Sequence, residues 1–236
     1  MIDNRAYRGV MEPEGLDCYR VVIGESDLYI CTEGEWKSRA RESLAERRRE
    51  LEEYLESHPS FGMSFKPVPA TGDAPGIVEE MARAASVFDV GPMASVAGAI
   101  AQRVGRDLLN LSSQVIVENG GDIFMAGGRK RRVRVFAGEG APAIDIKLAC
   151  SPGGMGLCTS SATVGPSVSL GAADAVAVLA QTATLADAAA SAFGNMVNST
   201  EEIGDVLTGA SEHAEVLGIV VVAGGSVGVW GGLEIA

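Results

Sequence analysis

The chain has 236 residues, 47% of them apolar, and a formal net charge of −12 at pH 7. This length suits one domain with a large core, because single domains of roughly 200–250 residues are common. The negative charge argues against a protein that binds nucleic acid or an anionic membrane, since both partners attract a positive surface. We therefore expect one domain over residues 1–236, with a site for a small molecule.

Hydropathy and cysteine content favour a cytoplasmic protein. No apolar run approaches the roughly 18 residues of a membrane span, and the N-terminal MIDNRAYRGVMEPEG has no hydrophobic signal core. The four cysteines are Cys18, Cys31, Cys150 and Cys158. They lack the paired spacing of a metal site, and we expect them to be reduced and mostly buried.

The N-terminal part of the chain predicts a hairpin followed by a long helix. The β-rich runs YRVVIG and DLYICT are separated by Glu25-Ser26. Thr32 and Glu35 have the spacing of a capping box, and an intermittent apolar stripe then continues to the break at His58-Pro59. The charge-dense tract in this stripe is interpreted as a solvated helix face.

The next segment predicts a connecting loop and two further helices. KPVPATGDAPG at 66–76 is too rich in Pro for regular structure. Gly91-Pro92 ends one predicted helix and begins the next. Small residues at Ala94, Gly98 and Ala101 allow this last helix to approach either a neighbouring helix or a ligand. Both interpretations stay open.

Strands are predicted in the middle of the chain. SQVIVENGGDIFMAGG at 113–128 is β-rich on both sides of Asn119-Gly120-Gly121, and Asn-Gly is a strong hairpin signal. The basic run at 129–134 is interpreted as a solvated hairpin edge, with phosphate contact as the minor alternative. The alternating segments RVRVFA and AIDIKLA predict half-exposed strands.

The stretch at 153–198 combines a Gly-rich approach, a hydroxyl cluster, an apolar run and a helix. The hydroxyl residues are Thr159, Ser160, Ser161 and Thr163. We predict that they form a loop whose backbone N–H groups are open to a phosphate. AVAVLA at 175–180 predicts a central strand.

The helix that follows is predicted to begin at Thr184. A Thr in this position is a good N-cap, and Asp187, three residues later, would lie in the first turn. Two more strands close the chain. The fold class is therefore predicted to be α+β, with a large, mostly antiparallel sheet flanked by helices.

Several motifs resemble a known family. LADAAASAF at 185–193 resembles the ADALATA signature of the ApbE family of FAD:protein FMN transferases, and NGGDIFMAG at 119–127 resembles its GGDI-x-x-x-G element. CTSS at 158–161 is similar to the family's TSG turn. Together with GPMASVAGAIA at 91–101, the pattern is most similar to the UPF0280 (DUF375) branch of ApbE-like proteins. The resemblance covers most of the chain and implies a single ApbE-like domain.

The resemblance also implies a flavin nucleotide site and a metal site. The residues implied to contact FAD, as substrate or ligand, are Asn119, Gly120, Gly121, Asp122, Thr159, Ser160 and Ser161. The implied Mg²⁺ ligands are Asp187, Ser191 and the backbone carbonyl of Val96. From the residues alone, Asn-Gly-Gly is weak evidence for a site and can form a plain turn, and Asp187 would be interpreted as a helix-dipole partner.

The chain departs from the family at positions that concern catalysis. TVGPSVSLGAAD at 163–174 replaces the family's HIIDP-like hairpin and its histidine, and Pro166 stands where the branch often has His. The family's lysine is replaced by Ala97. A general base would have to be Asp122, Asp174 or Asp187, and the sequence gives no reason for a raised pKa at any of them. No catalytic residue is therefore assigned.

Two functions of different classes follow. The first is a Mg²⁺-dependent enzyme that transfers or hydrolyses FMN from FAD, and it is the one we favour. The second is a non-catalytic module that binds a flavin or another phosphorylated ligand. The sequence leaves the acceptor and the oligomeric state open, a homo-oligomer included.

Overall fold

Antiparallel strands form the framework of the computed structural model, which describes Arg8 and residues 13–137, 143–161 and 171–236. In these ranges the strands are β1 (Asp17–Ile23), β2 (Ser26–Thr32), β3 (Val115–Asn119), β4 (Asp122–Ala126), β5 (Lys130–Val135), β6 (Ile144–Ala149), β7 (Met155–Ser160), β8 (Ala175–Ala180), β9 (Val216–Ala223), β10 (Ser226–Gly231) and β11 (Glu234–Ile235). Eight strands form one sheet, in the order β1-β2-β3-β4-β7-β8-β9-β10. The other three form a second sheet, in the order β11-β6-β5.

Six α-helices accompany the strands in the described ranges. They are α1 (Lys37–Ser57), α2 (Pro59–Met63), α3 (Gly76–Phe88), α4 (Val96–Leu108), α5 (Ala183–Met196) and α6 (Ile203–Ser211). Short 3₁₀ helices cover Pro92–Ser95 and Thr200–Glu202. Neighbouring strands pair antiparallel throughout both sheets. The predicted α+β class with a large antiparallel sheet is confirmed, whereas a separate three-stranded sheet was not predicted.

Two hydrophobic cores lie on opposite faces of the large sheet. Successive residues of a strand point to opposite faces, and in β8 the residues Val176 and Val178 join the core that the helices cover. Their neighbours Ala177 and Leu179 join the core beneath the three-stranded sheet. Every residue of β8 is buried, as expected for a central strand that is covered on both faces.

Two predicted helix caps were wrong. Thr32 is the last residue of β2, and α1 begins after Trp36 without a side-chain cap hydrogen bond. The N-cap of α5 is Thr182, whose hydroxyl accepts the Leu185 N–H, and not Thr184. Because α5 begins two residues earlier than predicted, Asp187 lies in its second turn rather than its first.

The expectation that all four cysteines are reduced was wrong for two of them. Cys18 and Cys31 are directly opposite each other in the β1–β2 ladder, and they form a disulfide with a Cα–Cα distance of 4.2 Å. The hairpin register brings the two residues together, which their sequence separation does not reveal. Cys150 and Cys158 are free and buried, as predicted.

Over the described ranges, no helix taken singly is both long and apolar enough to cross a bilayer. The segments Gly76–Phe88 and Pro92–Leu108 together have the length and hydropathy of a span, but this pair is bent by 105°.

Candidate functional site

The β3–β4 turn is closed by two glycines and one carboxylate. Asn119 and Asp122 are paired residues of the β3–β4 ladder, and Gly120 and Gly121, with φ of 69° and 107°, make the turn between them. Glycine adopts positive φ without steric cost. The Glu118 Oε1 accepts the Gly121 N–H at 2.8 Å. The predicted hairpin is confirmed, and a side chain from the preceding strand holds its turn.

Asp122 extends the contact between β4 and β7 beyond their backbone ladder. Backbone pairing of these strands ends at Ile123 and Leu157. Beyond it, the Asp122 carboxylate accepts hydrogen bonds from the Cys158 thiol and the Thr159 backbone N–H. Burial, with a smaller contribution from the charge of Glu118, raises the pKa of Asp122 to about 7, against the effect of these hydrogen bonds.

Asp187 binds the N-terminus of a second helix. Its Oδ2 accepts the Gly98 N–H at 2.8 Å, and the Ala97 N–H also donates to the carboxylate. Both N–H groups belong to the first turn of α4, where backbone donors have no intrahelical partner. Ser95, the N-cap of α4, makes no side-chain cap hydrogen bond. Asp187 therefore caps α4 from across the α4–α5 interface, which is a structural role that the sequence did not suggest.

Small residues let α4 and β7 approach the first turn of α5. A Cβ at Gly98 would lie 2.3 Å from the Ala183 carbonyl oxygen, and a Cβ at Gly156 would lie 2.2 Å from the Ala183 Cα. The Gln102 side chain, also on α4, accepts the Ala183 N–H at 2.8 Å. Gly98 thus permits close helix packing, and its N–H also binds a predicted site residue, Asp187.

The carboxylates of Asp122 and Asp187 oppose each other's ionisation. Burial raises the pKa of Asp187 well above its ordinary value, and the charge of Asp122 raises it further. Burial and the charges of both acids raise the pKa of the Cys158 thiol, whose Sγ lies 3.4 Å from the Ala183 carbonyl oxygen. No reason for these raised pKa values was evident from the sequence, because the burial that causes them depends on tertiary packing.

Two residues of the predicted phosphate loop belong to a strand. Thr159 and Ser160 belong to β7, which pairs with β8 as far as Ser160, so their backbone groups are not those of an open loop. Ser161 follows the strand, and its hydroxyl donates to the Asp174 carbonyl oxygen at 2.6 Å. Contact of these three hydroxyl residues with FAD stays a prediction. Outside the described residues lie Thr163 and Pro166.

The other two predicted metal ligands lie on either side of the α4–α5 interface. Ser191 is one turn beyond Asp187 on the same face of α5, and its hydroxyl donates to the Ala94 carbonyl oxygen at 3.4 Å. Val96 is the first residue of α4, where a carbonyl points along the helix axis. The backbone groups that hold Asp187 are N–H donors of the two residues after Val96. Metal binding by Asp187, Ser191 and Val96 stays a prediction.

The chemistry of the cluster fits a nucleotide-bound divalent cation. Within the described ranges, no group of three or more His, Cys, Asp or Glu side chains has the geometry of a metal site. Mg²⁺ bound with a nucleotide, however, often uses only one or two carboxylates and takes its other ligands from phosphate and water. Asp122 and Asp187 supply two carboxylates. Thr184, three residues before Asp187 and 1% exposed, carries a hydroxyl without a hydrogen-bond partner among the described residues.

Sequence reasoning missed the side chains that support these acids. Glu118 holds the turn beside Asp122, and Gln102 holds the start of the helix that carries Asp187. Both side chains are 1% exposed. Each is a polar residue within an apolar or small-residue run, and that is a usable signal because buried polar groups almost always have hydrogen-bond partners.

Comparison with solved structures establishes the fold. The flavin transferase ApbE of Vibrio cholerae, as its H257G mutant, superposes with a TM-score of 0.56 and 11% identity, covering 92% of this chain and 97% of that one. The apo form of the Pseudomonas stutzeri flavinyl transferase ApbE gives a TM-score of 0.57 and 12% identity, with coverage of 91% and 93%. At these identities the likeness establishes the fold, and this chain has an ApbE-like fold.

Sequence comparison then identifies the family. The family model described as AbpE bacteria matches residues 9–216. A UPF0280 protein of Methanocaldococcus jannaschii is 39% identical over 220 residues, which are 90% of this chain and 89% of the relative. A UPF0280 protein of Methanothermobacter thermautotrophicus is 38% identical over 218 residues, with coverage of 90% and 84%. The chain belongs to the UPF0280 family of the ApbE-like superfamily.

Proposed function

We propose that the protein binds a flavin nucleotide together with Mg²⁺, and that it transfers or hydrolyses the FMN part of FAD. One observation carries this proposal. Three separate motifs meet in one cluster around the buried carboxylate of Asp122 in the β3–β4 turn. This carboxylate accepts the Thr159 N–H of β7, and its charge acts on the buried Asp187 of α5. Membership in the UPF0280 family and the likeness to flavin transferases support it.

In this proposal Asp187 and Ser191 hold the metal ion, and Asp122 is the proton acceptor rather than a metal ligand. A divalent cation would offset the repulsion that keeps Asp122 and Asp187 from ionising together, so metal binding and loss of their proton would be coupled. Bound there with FAD, Mg²⁺ would neutralise charge that develops on the phosphate. The Val96 carbonyl would have to turn away from the axis of α4 to contribute.

The turn would receive the phosphate of the nucleotide. The Gly121 N–H is already bound by Glu118 at 2.8 Å, so a phosphate would approach at Gly120. In hydrolysis, water attacks the phosphorus of the FMN half and AMP leaves, whereas in transfer an acceptor hydroxyl takes the place of water. Asp122, whose pKa is raised to about 7 mainly by burial, is the site residue best suited to accept the proton of the attacking group.

A non-catalytic module that binds a flavin or another phosphorylated ligand is the second candidate. Two observations favour it. The sequence at 163–174 lacks the family's histidine, and the Asp187 carboxylate already accepts hydrogen bonds from the first turn of α4. Both candidates bind the nucleotide, and they differ only in whether FAD is turned over.

Calorimetric titration of the purified protein with FAD, FMN and ADP, each in Mg²⁺ and in EDTA, tests the shared part of both candidates. We expect tighter binding of FAD in Mg²⁺ than in EDTA. Failure of all three nucleotides to bind under both conditions would refute the proposal. Chromatography after incubation with FAD and Mg²⁺ then separates a hydrolase from the binding module, because only the hydrolase releases AMP without an acceptor.

A further inference from the structure

Arg8 is a buried cation far in sequence from the candidate site. Its side chain is 9% exposed and donates three hydrogen bonds to other described residues. Nε donates to Glu118 Oε2 at 2.6 Å. The two other nitrogens donate to Asp27, Nη1 to the carboxylate at 2.9 Å and Nη2 to the backbone carbonyl at 2.7 Å. Arg8 is thereby joined both to the β1–β2 hairpin, through Asp27, and to the strand that leads into the β3–β4 turn, through Glu118.

Glu118 connects this arginine to the turn. One oxygen of its carboxylate faces Arg8, and the other accepts the Gly121 N–H at 2.8 Å. The carboxylate is almost completely buried, with 1% of the side chain exposed. A buried carboxylate is stable in its ionised form when a cation and hydrogen-bond donors face it. Without the guanidinium, the Glu118 carboxylate loses the ion pair that fixes its orientation, and its hold on the Gly121 N–H weakens.

We propose that Arg8 is a positioning residue for the turn at Asn119–Asp122, and that it acts through Glu118. The geometry makes a continuous path from the Arg8 guanidinium through both Glu118 oxygens to the Gly121 N–H. The effect on FAD rests on the function proposed above, whereas the effect on the turn does not. Nothing in the sequence pattern singled out Arg8, because its partners lie 19 and 110 residues away.

Amide hydrogen exchange measured by NMR tests the positioning role without any ligand. In Arg8→Ala the Gly121 amide should exchange roughly tenfold faster or more, since hydrogen bonds to charged acceptors are the stronger ones, while amides of β9 stay protected. Arg20→Ala is the matched control. Arg20 also pairs with Asp27, with both bonds at 2.7 Å, but its side chain is 54% exposed, and we expect slow exchange at Gly121 to persist.

A second variant identifies the path. Gln in place of Glu118 keeps an oxygen for the Gly121 N–H and removes the charge that needs a cation. In the Glu118→Gln background, Arg8→Ala should therefore leave exchange at Gly121 unchanged. The proposal would be overturned if Arg8→Ala caused rapid exchange at Gly121 both in wild type and in the Glu118→Gln background. It would also be overturned if the single variant Arg8→Ala exchanged as slowly as wild type. If Arg8→Ala alone does not fold, the double variant Arg8→Ala/Glu118→Gln should fold and keep slow exchange at Gly121, and a double variant that also fails to fold would overturn the proposal.

Titration with FAD in Mg²⁺ separates this inference from the proposed function. If wild type binds FAD, Arg8→Ala should bind more weakly, and the double variant Arg8→Ala/Glu118→Gln should recover part of the affinity. If wild type does not bind FAD, the proposed function fails, and the exchange data still decide whether Arg8 positions the turn. Wild-type affinity in Arg8→Ala, together with slow exchange at Gly121, would refute the positioning role.

Discussion

Replacing Gly98 with alanine tests the close approach of α4 and α5 that places Asp187 at the first turn of α4. The new methyl carbon would lie 2.3 Å from the Ala183 carbonyl oxygen and 2.8 Å from the Asp187 Cβ. To reach ordinary contact, the two helices would have to separate by about 1 Å. Such overpacking costs about 1–3 kcal/mol, and the better helix propensity of alanine returns about 0.5–1 kcal/mol. The free energy of unfolding should therefore fall by about 1–2 kcal/mol.

Thermal unfolding followed by circular dichroism measures this change, and Gly204→Ala is the matched control. For a chain of this size, each kcal/mol shifts the melting temperature by roughly 2–4 °C, so Gly98→Ala should melt several degrees below wild type. Gly204 lies in α6 with open space where a Cβ would be, so its replacement should raise the melting temperature by a few degrees. A Gly98→Ala protein that melts at or above wild type would refute the close packing of α4 on α5.

Three further predictions concern buried groups. Burial raises the pKa of Asp122 from 3.8 to about 7 in the folded state, so the free energy of unfolding should fall by up to about 4 kcal/mol as pH rises through this interval. Urea unfolding in EDTA measures the fall, and Asp122→Asn should flatten it. A constant difference in stability between wild type and Asp122→Asn across this pH range would contradict the prediction. Gln102→Ala removes the acceptor of a buried N–H at the start of α5, and in chemical denaturation it should lower the free energy of unfolding by about 1–3 kcal/mol. The control Arg106→Ala, at a side chain that is 42% exposed, should cost less than about 1 kcal/mol. Equal losses in the two variants would contradict the role of Gln102. The disulfide between Cys18 and Cys31 closes a short loop, so its reduction should lower the free energy of unfolding by about 3 kcal/mol. An intact mass that shows four alkylated thiols before reduction would contradict the bond.

Local patterns in the sequence predicted the elements that depend on neighbours in the chain. The apolar run at 175–180 became the buried strand β8, and the glycines at 120–121 closed a hairpin because only the adjacent strands are needed to define them. The start of α5 was misplaced by two residues for a local reason as well. Thr182 and Thr184 are both good N-cap residues, and the acid three residues after Thr184 resembled a capping box.

Features that depend on distant contacts were not predictable from patterns. Asp187 caps α4 across 89 residues of sequence, and Gln102 holds Ala183 across 81. The raised pKa values of Asp122 and Asp187 follow from burial, which only the packed structure defines. The motif resemblance named both acids as site residues, which stays a prediction, and it could not show that one caps a helix and the other replaces a backbone partner of β7.

Calorimetric titration of Asp187→Asn with FAD, in Mg²⁺ and in EDTA, tests the proposed metal site most directly. Asparagine keeps an oxygen for the Gly98 N–H, and Asn and Asp cap helices about equally well, so the melting temperature should change little while the charge for Mg²⁺ is lost. Asp205→Asn, the same change at an exposed acid of α6, is the control, and Ser191→Ala should have a smaller effect than Asp187→Asn. Wild type and Asp205→Asn should bind FAD more tightly in Mg²⁺ than in EDTA, and Asp187→Asn should lose that difference. A full Mg²⁺ effect in Asp187→Asn would contradict the proposed metal site.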